Sequence, residues 1–127
     1  MKLFIDYRVA NKSSDVELEC HEVEHALAAL RRLNGREHTL LSIERSDGWQ
    51  LCVGGGGAGF VITLSSQSDE NLTLLNSGGD VGGVVELCAG GQFSDFSRSI
   101  VVGEDQASKA ICSFFLESEM DLSWARD

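Results

Sequence analysis

The chain has 127 residues, of which 43% are hydrophobic and 24% are charged. These proportions predict one folded domain over residues 1–127 and argue against a disordered chain. Twenty acidic residues outnumber ten lysines and arginines, so the formal net charge is −10. That charge argues against binding to DNA or RNA and favours a basic partner protein.

The chain begins with a short apolar run that lacks the longer apolar stretch of a signal peptide. No stretch approaches the ~20 apolar residues of a membrane span. The four cysteines are widely spaced without a CxxC pair, which predicts free thiols rather than a metal site: Cys20, Cys52, Cys88 and Cys112. We therefore expect a cytoplasmic protein without a cofactor, and the sequence does not indicate its oligomeric state.

The first third of the chain predicts a hairpin followed by a helix. Lys2–Val9 alternates weakly between apolar and polar residues, and a turn-rich segment separates it from a second strand at 16–19. Residues 20–33 have apolar side chains at helical spacing, with acidic residues in the first turn and basic residues in the last. Asn34 and Gly35 then provide a left-handed stop.

From residue 38 the hydrophobic period changes to two and glycine becomes frequent. Five strands are predicted, with a sixth candidate at the end: 39–44, 49–53, 60–64, 72–75, 84–89 and 99–102. A second helix is expected from Glu104 to about Glu117, and a short strand or docking tail at 122–124. The fold class is α+β: an antiparallel meandering sheet of about six strands, with two amphipathic helices packed on one face.

Residues 21–25 match the zinc-hydrolase pattern H-E-x-x-H, in which two histidines one helical turn apart bind zinc and the glutamate is the general base. On a helix, however, His21 and His25 lie opposite the apolar stripe and are expected to face solvent. Arg32 on the same stripe would repel a cation. A solvated helix face is therefore the preferred interpretation, and the zinc hydrolase is the minor alternative.

The glycine run at 54–59 contains GxGxxG, a pattern found in phosphate-binding loops. A dinucleotide site needs a helix after the glycines, but 60–64 reads as a strand. The run therefore predicts a hairpin connection or a bulge. Without GxSxG, and with all three histidines within the first 38 residues, no catalytic triad is indicated.

The second half of the chain carries a longer pattern. A strand runs into glycines (WQLCVGGGGAG, 49–59), and VVELCAGGQFSDF follows at 84–96. A strand, a helix ending in Phe114-Phe115 and a late Trp124 come after it. Over residues 38–126 this order resembles the first-numbered immunity-protein family of bacterial polymorphic toxin systems. Gly90-Gly91-Gln92 with its surroundings is the most specific part.

The resemblance implies an antitoxin without enzymatic activity that binds a cognate toxin domain in the cytoplasm and blocks it. Such toxins often carry a nucleic-acid deaminase domain, whose substrate entrance should be basic. The acidic charge of this chain suits that partner. Exposed acidic and loop residues are the candidate partner-binding residues: Glu44, Asp47, Asp69, Glu70, Asp80, Gln92 and Asp95.

Simpler roles compete at several of these positions. Asp47 is typical of a turn former and Gln92 of a loop-bracing amide, while Trp49 and Trp124 are anchors in one interpretation and core residues in the other. The function also has an alternative, a small regulatory module that binds a peptide along a sheet edge.

Overall fold

The computed structural model describes residues 1–78 and 82–126. Seven strands form one sheet in the order β2-β1-β3-β4-β5-β6-β9, with every neighbouring pair antiparallel, and β7 and β8 form a separate hairpin. The strands are β1 (Lys2–Val9), β2 (Lys12–Leu18), β3 (Leu40–Glu44), β4 (Gln50–Gly55), β5 (Phe60–Ser65), β6 (Asn71–Leu74), β7 (Val84–Ala89), β8 (Gln92–Ser97) and β9 (Trp124–Arg126). The α+β class and the antiparallel sheet are confirmed, whereas the count of about six strands is too low.

The strand register collects the apolar side chains on one face of the sheet. Ile5 pairs with Leu41, which pairs with Val53, which pairs with Ile62, and all four are fully buried. Because side chains alternate between faces, this row and the row beginning at Leu3 form one apolar surface. Each such burial stabilises the fold by roughly 1.5–3 kcal/mol.

Two α-helices of the described chain, α1 (Val23–Leu30) and α2 (Glu104–Phe115), contribute to that same core. Their inner residues are completely or almost completely buried: Ala26, Ala29, Leu30, Ala107, Ala110, Ile111 and Phe114. Within the described residues, no helix combines the length and apolar character that crossing a membrane requires.

The first helix is shorter than the predicted 20–33. Glu22 has extended backbone angles, so the helix begins only at Val23. At the other end, the amides of Arg32 and Leu33 bond three residues back, which tightens the last turn. The Asn34 side chain then accepts the amides of residues 36, 37 and 38, and Gly35 adopts φ +77°, as the predicted stop requires.

The hairpin β7–β8 corrects two predictions. Segment 84–89 does not join the main sheet, and its partner Gln92–Ser97 was not predicted as a strand. The predicted strand at 99–102 is a 3-10 turn, Arg98–Ile100, followed by a single bridge between Val102 and Phe60. The Ser97 hydroxyl accepts the Ser99 amide, which bends the chain out of β8.

The hairpin packs on the sheet face opposite the main core. A small second cluster there contains Val61 of the sheet, Leu87 of the hairpin and Val101. Gly54 lies under Ala89, and a Cβ added at Gly54 would come within 2.7 Å of the Ala89 Cβ. Close approach of the hairpin therefore requires glycine at this position.

Gly54→Ala is expected to lower the free energy of unfolding by about 1–3 kcal/mol, because the added methyl group overlaps Ala89. The backbone of Gly54 lies outside the left-handed region, so the contact alone is tested. Urea denaturation of Gly54→Ala, Ala89→Gly and the double variant measures the effect. The double variant should recover part of the loss; equal losses in the single Gly54→Ala and double variants would contradict the contact.

Candidate functional site

One end of the sheet gathers acidic residues. Lys2 pairs with Glu44 and Glu44 with Gln50, so the start of β1, the end of β3 and the start of β4 lie side by side. The β5–β6 turn lies next to them, with the Gln67 side chain beside Gly48. Glu117 shares a cleft with Glu44 and Asp47, and Arg45 binds Glu119 in the 3-10 turn that also contains Asp121. We call this region the acidic end; its carboxylates are Glu44, Asp47, Asp69, Glu70, Glu117, Glu119 and Asp121.

Four predicted partner-binding residues lie in the acidic end, and each has a different environment. Glu44 is exposed at the end of β3. Asp47 bonds to Arg45 and accepts the Trp49 amide, as expected of a turn former. Asp69 is exposed with φ +65° in the β5–β6 turn, and Glu70 forms an exposed ion pair with Arg126 at 3.3 Å.

The other predicted residues do not join them. Asp80 lies outside the described residues. Gln92 is the first residue of β8, where it pairs with Ala89. Asp95 is exposed on β8 directly opposite Glu86, and like charges facing each other across strands destabilise a hairpin. The predicted surface is therefore divided between the acidic end and the hairpin.

A buried ion pair joins α2 to the acidic end. The Arg45 guanidinium donates to both Glu119 carboxylate oxygens at 2.9 Å and to the Phe114 carbonyl at 2.6 Å. It also lies 4.3 Å from the centre of the Phe114 ring. Both charged side chains are only 7% exposed. This contact fixes the 3-10 turn Glu119–Asp121 against the β3–β4 turn.

The ion pair shifts the titration of its members. Hydrogen bonds from Arg45 lower the pKa of Glu119, although burial acts in the opposite direction. The same guanidinium lowers the pKa of Asp47. In return, the hydrogen bond to Glu119 raises the pKa of Arg45. All three groups therefore stay charged at neutral pH.

Apolar side chains lie exposed among these acids. Leu116 is 77% exposed and Met120 is 56% exposed, and both flank the C-terminal end of α2. Phe115 and Glu117, the chain neighbours of Leu116, line a cleft of about 480 Å³ together with the acidic residues Glu44 and Asp47 and the basic residues Lys2 and Arg45. Within the described residues, Glu44, Asp69, Glu117 and Asp121 form no ion pair. The acidic end thus combines exposed apolar groups with an excess of carboxylates over basic residues.

Glu117 occupies a strained backbone position. The amide of Ser118 bonds to the Ser113 carbonyl and that of Glu117 to the Phe114 carbonyl, which is the Schellman end of a helix. Glycine normally occupies the left-handed position of this motif, but here Glu117 occupies it with φ +55°. A non-glycine residue there costs on the order of 1 kcal/mol. The chain therefore holds an exposed carboxylate beside Leu116 despite this strain.

The H-E-x-x-H segment does not form the geometry of a zincin helix. His21 precedes α1, and its amide donates to the His25 Nδ1 at 3.1 Å. Their rings pack edge to face at 5.9 Å, with His21 exposed and His25 half-buried. No group of three or more potential metal ligands occurs within residues 1–78 and 82–126.

The remaining predicted features have structural surroundings. Trp49 and Trp124 both pack against the main core, and the Trp124 indole donates to the Glu119 carbonyl at 2.8 Å. The glycine run ends β4 and turns directly into β5, as the hairpin interpretation predicts. The four cysteines are free thiols, and burial raises the pKa of Cys20 and Cys52.

Comparison with protein-family models, with curated proteins and with solved structures finds no match to this chain.

Proposed function

We propose that this chain is an immunity protein that binds a cognate polymorphic-toxin domain in the cytoplasm and covers its active site. The observation that carries the proposal is the acidic end, where Leu116 and Met120 are exposed and four of the seven carboxylates form no ion pair within the described residues. An apolar centre within a polar rim is the usual arrangement of a protein-binding surface.

The charge of the acidic end defines the kind of toxin. A domain that acts on nucleic acid, such as a deaminase, needs basic residues around the entrance through which its substrate passes. Glu44, Asp69, Glu117 and Asp121 offer the opposite charge. Electrostatic attraction of this kind raises the association rate, while a buried apolar anchor such as Leu116 slows dissociation.

The arrangement of the fold supports a rigid binding surface. In this proposal the two amphipathic helices pack on one face of the sheet, and the C-terminal end of α2 presents the apolar anchors. The Arg45–Glu119 ion pair holds that end against the β3–β4 turn. A preformed surface limits the conformational entropy that is lost on binding.

The test is the dissociation constant of the toxin domain encoded beside this chain, measured by calorimetry with wild type and two charge-reversal variants. Glu117→Lys/Asp121→Lys places lysines near the C-terminus of α2, where the helix dipole tolerates them. We expect binding to weaken at least roughly tenfold, and further as salt is added.

The matched control is Glu17→Lys/Glu19→Lys, which changes the charge equally at exposed residues in and just after β2. It should alter the dissociation constant much less than the acidic-end variant. Equal effects of the two variants would show that only net charge matters and would contradict a role for the acidic end.

A peptide-binding module remains the second candidate because β2 is an open edge. The strand has β1 on one side and no neighbouring strand on the other within the described residues, and Lys12–Glu17 are exposed. An added strand bonds mainly through its backbone. A dissociation constant that is insensitive to salt would therefore favour this candidate over the acidic-end interface.

A further inference from the structure

A second cleft, of about 860 Å³, lies on another part of the molecule. Its walls come from the β1–β2 turn, from residues 35–37 and from the turn end of the β7–β8 hairpin. We call it the tip cleft. Three of its apolar side chains are unusually exposed: Tyr7 at 45%, Val9 at 48% and Phe93 at 69%.

The charges around the tip cleft are opposite to those of the whole chain. Arg8, Lys12 and Arg36 line it, and Glu37 is the one acidic lining residue among the residues that the structure describes. The complete chain has twice as many acidic as basic residues. Lys12 and Arg36 form no ion pair within the described residues. Cationic and aromatic groups are therefore concentrated in one concave region.

A buried carboxylate fixes the walls of this cleft. Asp6 is 2% exposed and accepts hydrogen bonds from the Arg8 Nε at 2.7 Å and from the Thr39 amide at 2.6 Å. The Thr39 hydroxyl donates to Asp6 and accepts the Gly91 amide at 2.9 Å, which ties the hairpin turn to the sheet. Gly91 has φ +79°, and the Arg8 guanidinium occupies the space that a side chain there would need.

The same network orients the aromatic wall. The Nδ1 of His38 lies 2.6 Å from the backbone carbonyl oxygen of Asp6. The His38 ring packs edge to face against the Tyr7 ring, with 5.4 Å between the ring centres. Tyr7, Arg8 and the turn before Phe93 are thus all held through Asp6 or its neighbours. Burying a charge is costly unless the charged group is fully hydrogen-bonded. Because the groups that bond to Asp6 also form walls of the cleft, the cleft is preformed.

We propose that the tip cleft binds an acidic peptide segment that carries bulky apolar side chains. Carboxylates of the segment would pair with Arg36, Lys12 and the free edge of Arg8, since guanidinium and carboxylate groups form strong charge-assisted hydrogen bonds. Apolar side chains of the segment would lie against Phe93 on the hairpin wall or against Tyr7 and Val9, which alternate with Arg8 along β1. This site goes beyond the proposed immunity function, because it selects a partner of the opposite charge on a different surface.

A peptide is favoured over a nucleic acid by the charge of the rest of the chain. Beyond the cleft, Asp15 and Glu17 continue along β2, and Glu86 and Asp95 are exposed on the hairpin. A polynucleotide that left the cleft in either direction would meet these carboxylates with a phosphate at every step. A short acidic segment places its charges only inside the cleft.

The experiment measures fluorescence anisotropy of labelled peptides with the full chain. The probe has three Glu-Leu-Asp-Phe repeats, and its neutral counterpart has Gln and Asn in place of Glu and Asp. We expect the acidic probe to bind at least roughly tenfold more tightly than the neutral one. Phe93→Ser and Arg36→Glu should each weaken binding of the acidic probe by a similar factor.

Two matched variants lie outside the cleft. Val84→Ser removes another exposed apolar side chain of the same hairpin, and Lys109→Glu reverses an exposed charge on α2. Both should bind the acidic probe like wild type. The proposal would be overturned by any of three results. The acidic and neutral probes bind equally, the cleft and control variants lose equal affinity for the acidic probe, or an oligothymidylate binds more tightly than the acidic probe. None of these readouts uses the toxin, so the two proposals fail separately.

Discussion

Replacing Glu119 with alanine is expected to lower the free energy of unfolding by about 3–5 kcal/mol, a large part of the stability of a small domain. The substitution leaves the Arg45 guanidinium buried at 7% exposure, with the exposed Asp47 as its remaining ion-pair partner and the Phe114 carbonyl as its remaining buried acceptor. It also releases the 3-10 turn that Glu119 begins. Urea denaturation followed by circular dichroism gives the change.

The control is Glu70→Ala, which removes an ion pair of the same type from the surface. Glu70 and its partner Arg126 have side chains that are 43% and 69% exposed, and such pairs contribute about 0–1 kcal/mol. A loss for Glu119→Ala no larger than that for Glu70→Ala would show that the buried pair does not hold α2 in place.

Asp6→Asn is expected to cost about 2–4 kcal/mol, although it changes only one side-chain group. The Asp6 carboxylate accepts hydrogen bonds from Arg8, Thr39 and Leu40. An asparagine amide has one acceptor oxygen, and its NH₂ group would face a donor. Asp69→Asn makes the same change at an exposed turn residue whose positive φ asparagine also tolerates, and it should leave the urea midpoint unchanged. A wild-type midpoint for Asp6→Asn would contradict the network.

The same carboxylate gives a pH dependence. Burial opposes ionisation of Asp6, but hydrogen bonds from Thr39, Arg8 and the Leu40 amide hold its pKa below the usual value. A carboxylate whose pKa is lower in the folded state than in the unfolded state stabilises the fold at pH values above its unfolded-state pKa, near 3.9. This stabilisation is lost as the pH falls through the folded-state pKa. Stability should therefore decrease more steeply below about pH 4 in wild type than in Asp6→Asn.

The alternating strands could be predicted from sequence because burial of one face leaves a period-two signal. Lys2–Val9 was predicted with its observed bounds, since Leu3, Ile5 and Tyr7 alternate with a second set in which Asp6 and Arg8 are polar. β8 left no such signal: of its six residues only Phe96 is even half-buried. Periodicity also does not say which sheet a strand joins, so the separate hairpin could not be predicted.

The site was less predictable because its important groups are brought together only by folding. Arg45 and Glu119 are separated by 74 residues, and Arg45 lies in a turn where an exposed charge is expected. Asp6 occupies a polar position of an alternating strand, so its burial depends on Thr39 and on the hairpin above it. The strain at Glu117 is a backbone property that the residue type does not reveal.

The most direct measurement of the central claim is survival of cells that express the toxin domain encoded beside this chain, with and without the chain itself. The account predicts that wild type restores growth and co-purifies with the toxin, while Glu117→Lys/Asp121→Lys protects less well and the Glu17→Lys/Glu19→Lys control protects like wild type. Cell death despite folded, expressed wild-type protein, with no complex recovered, would contradict the immunity function.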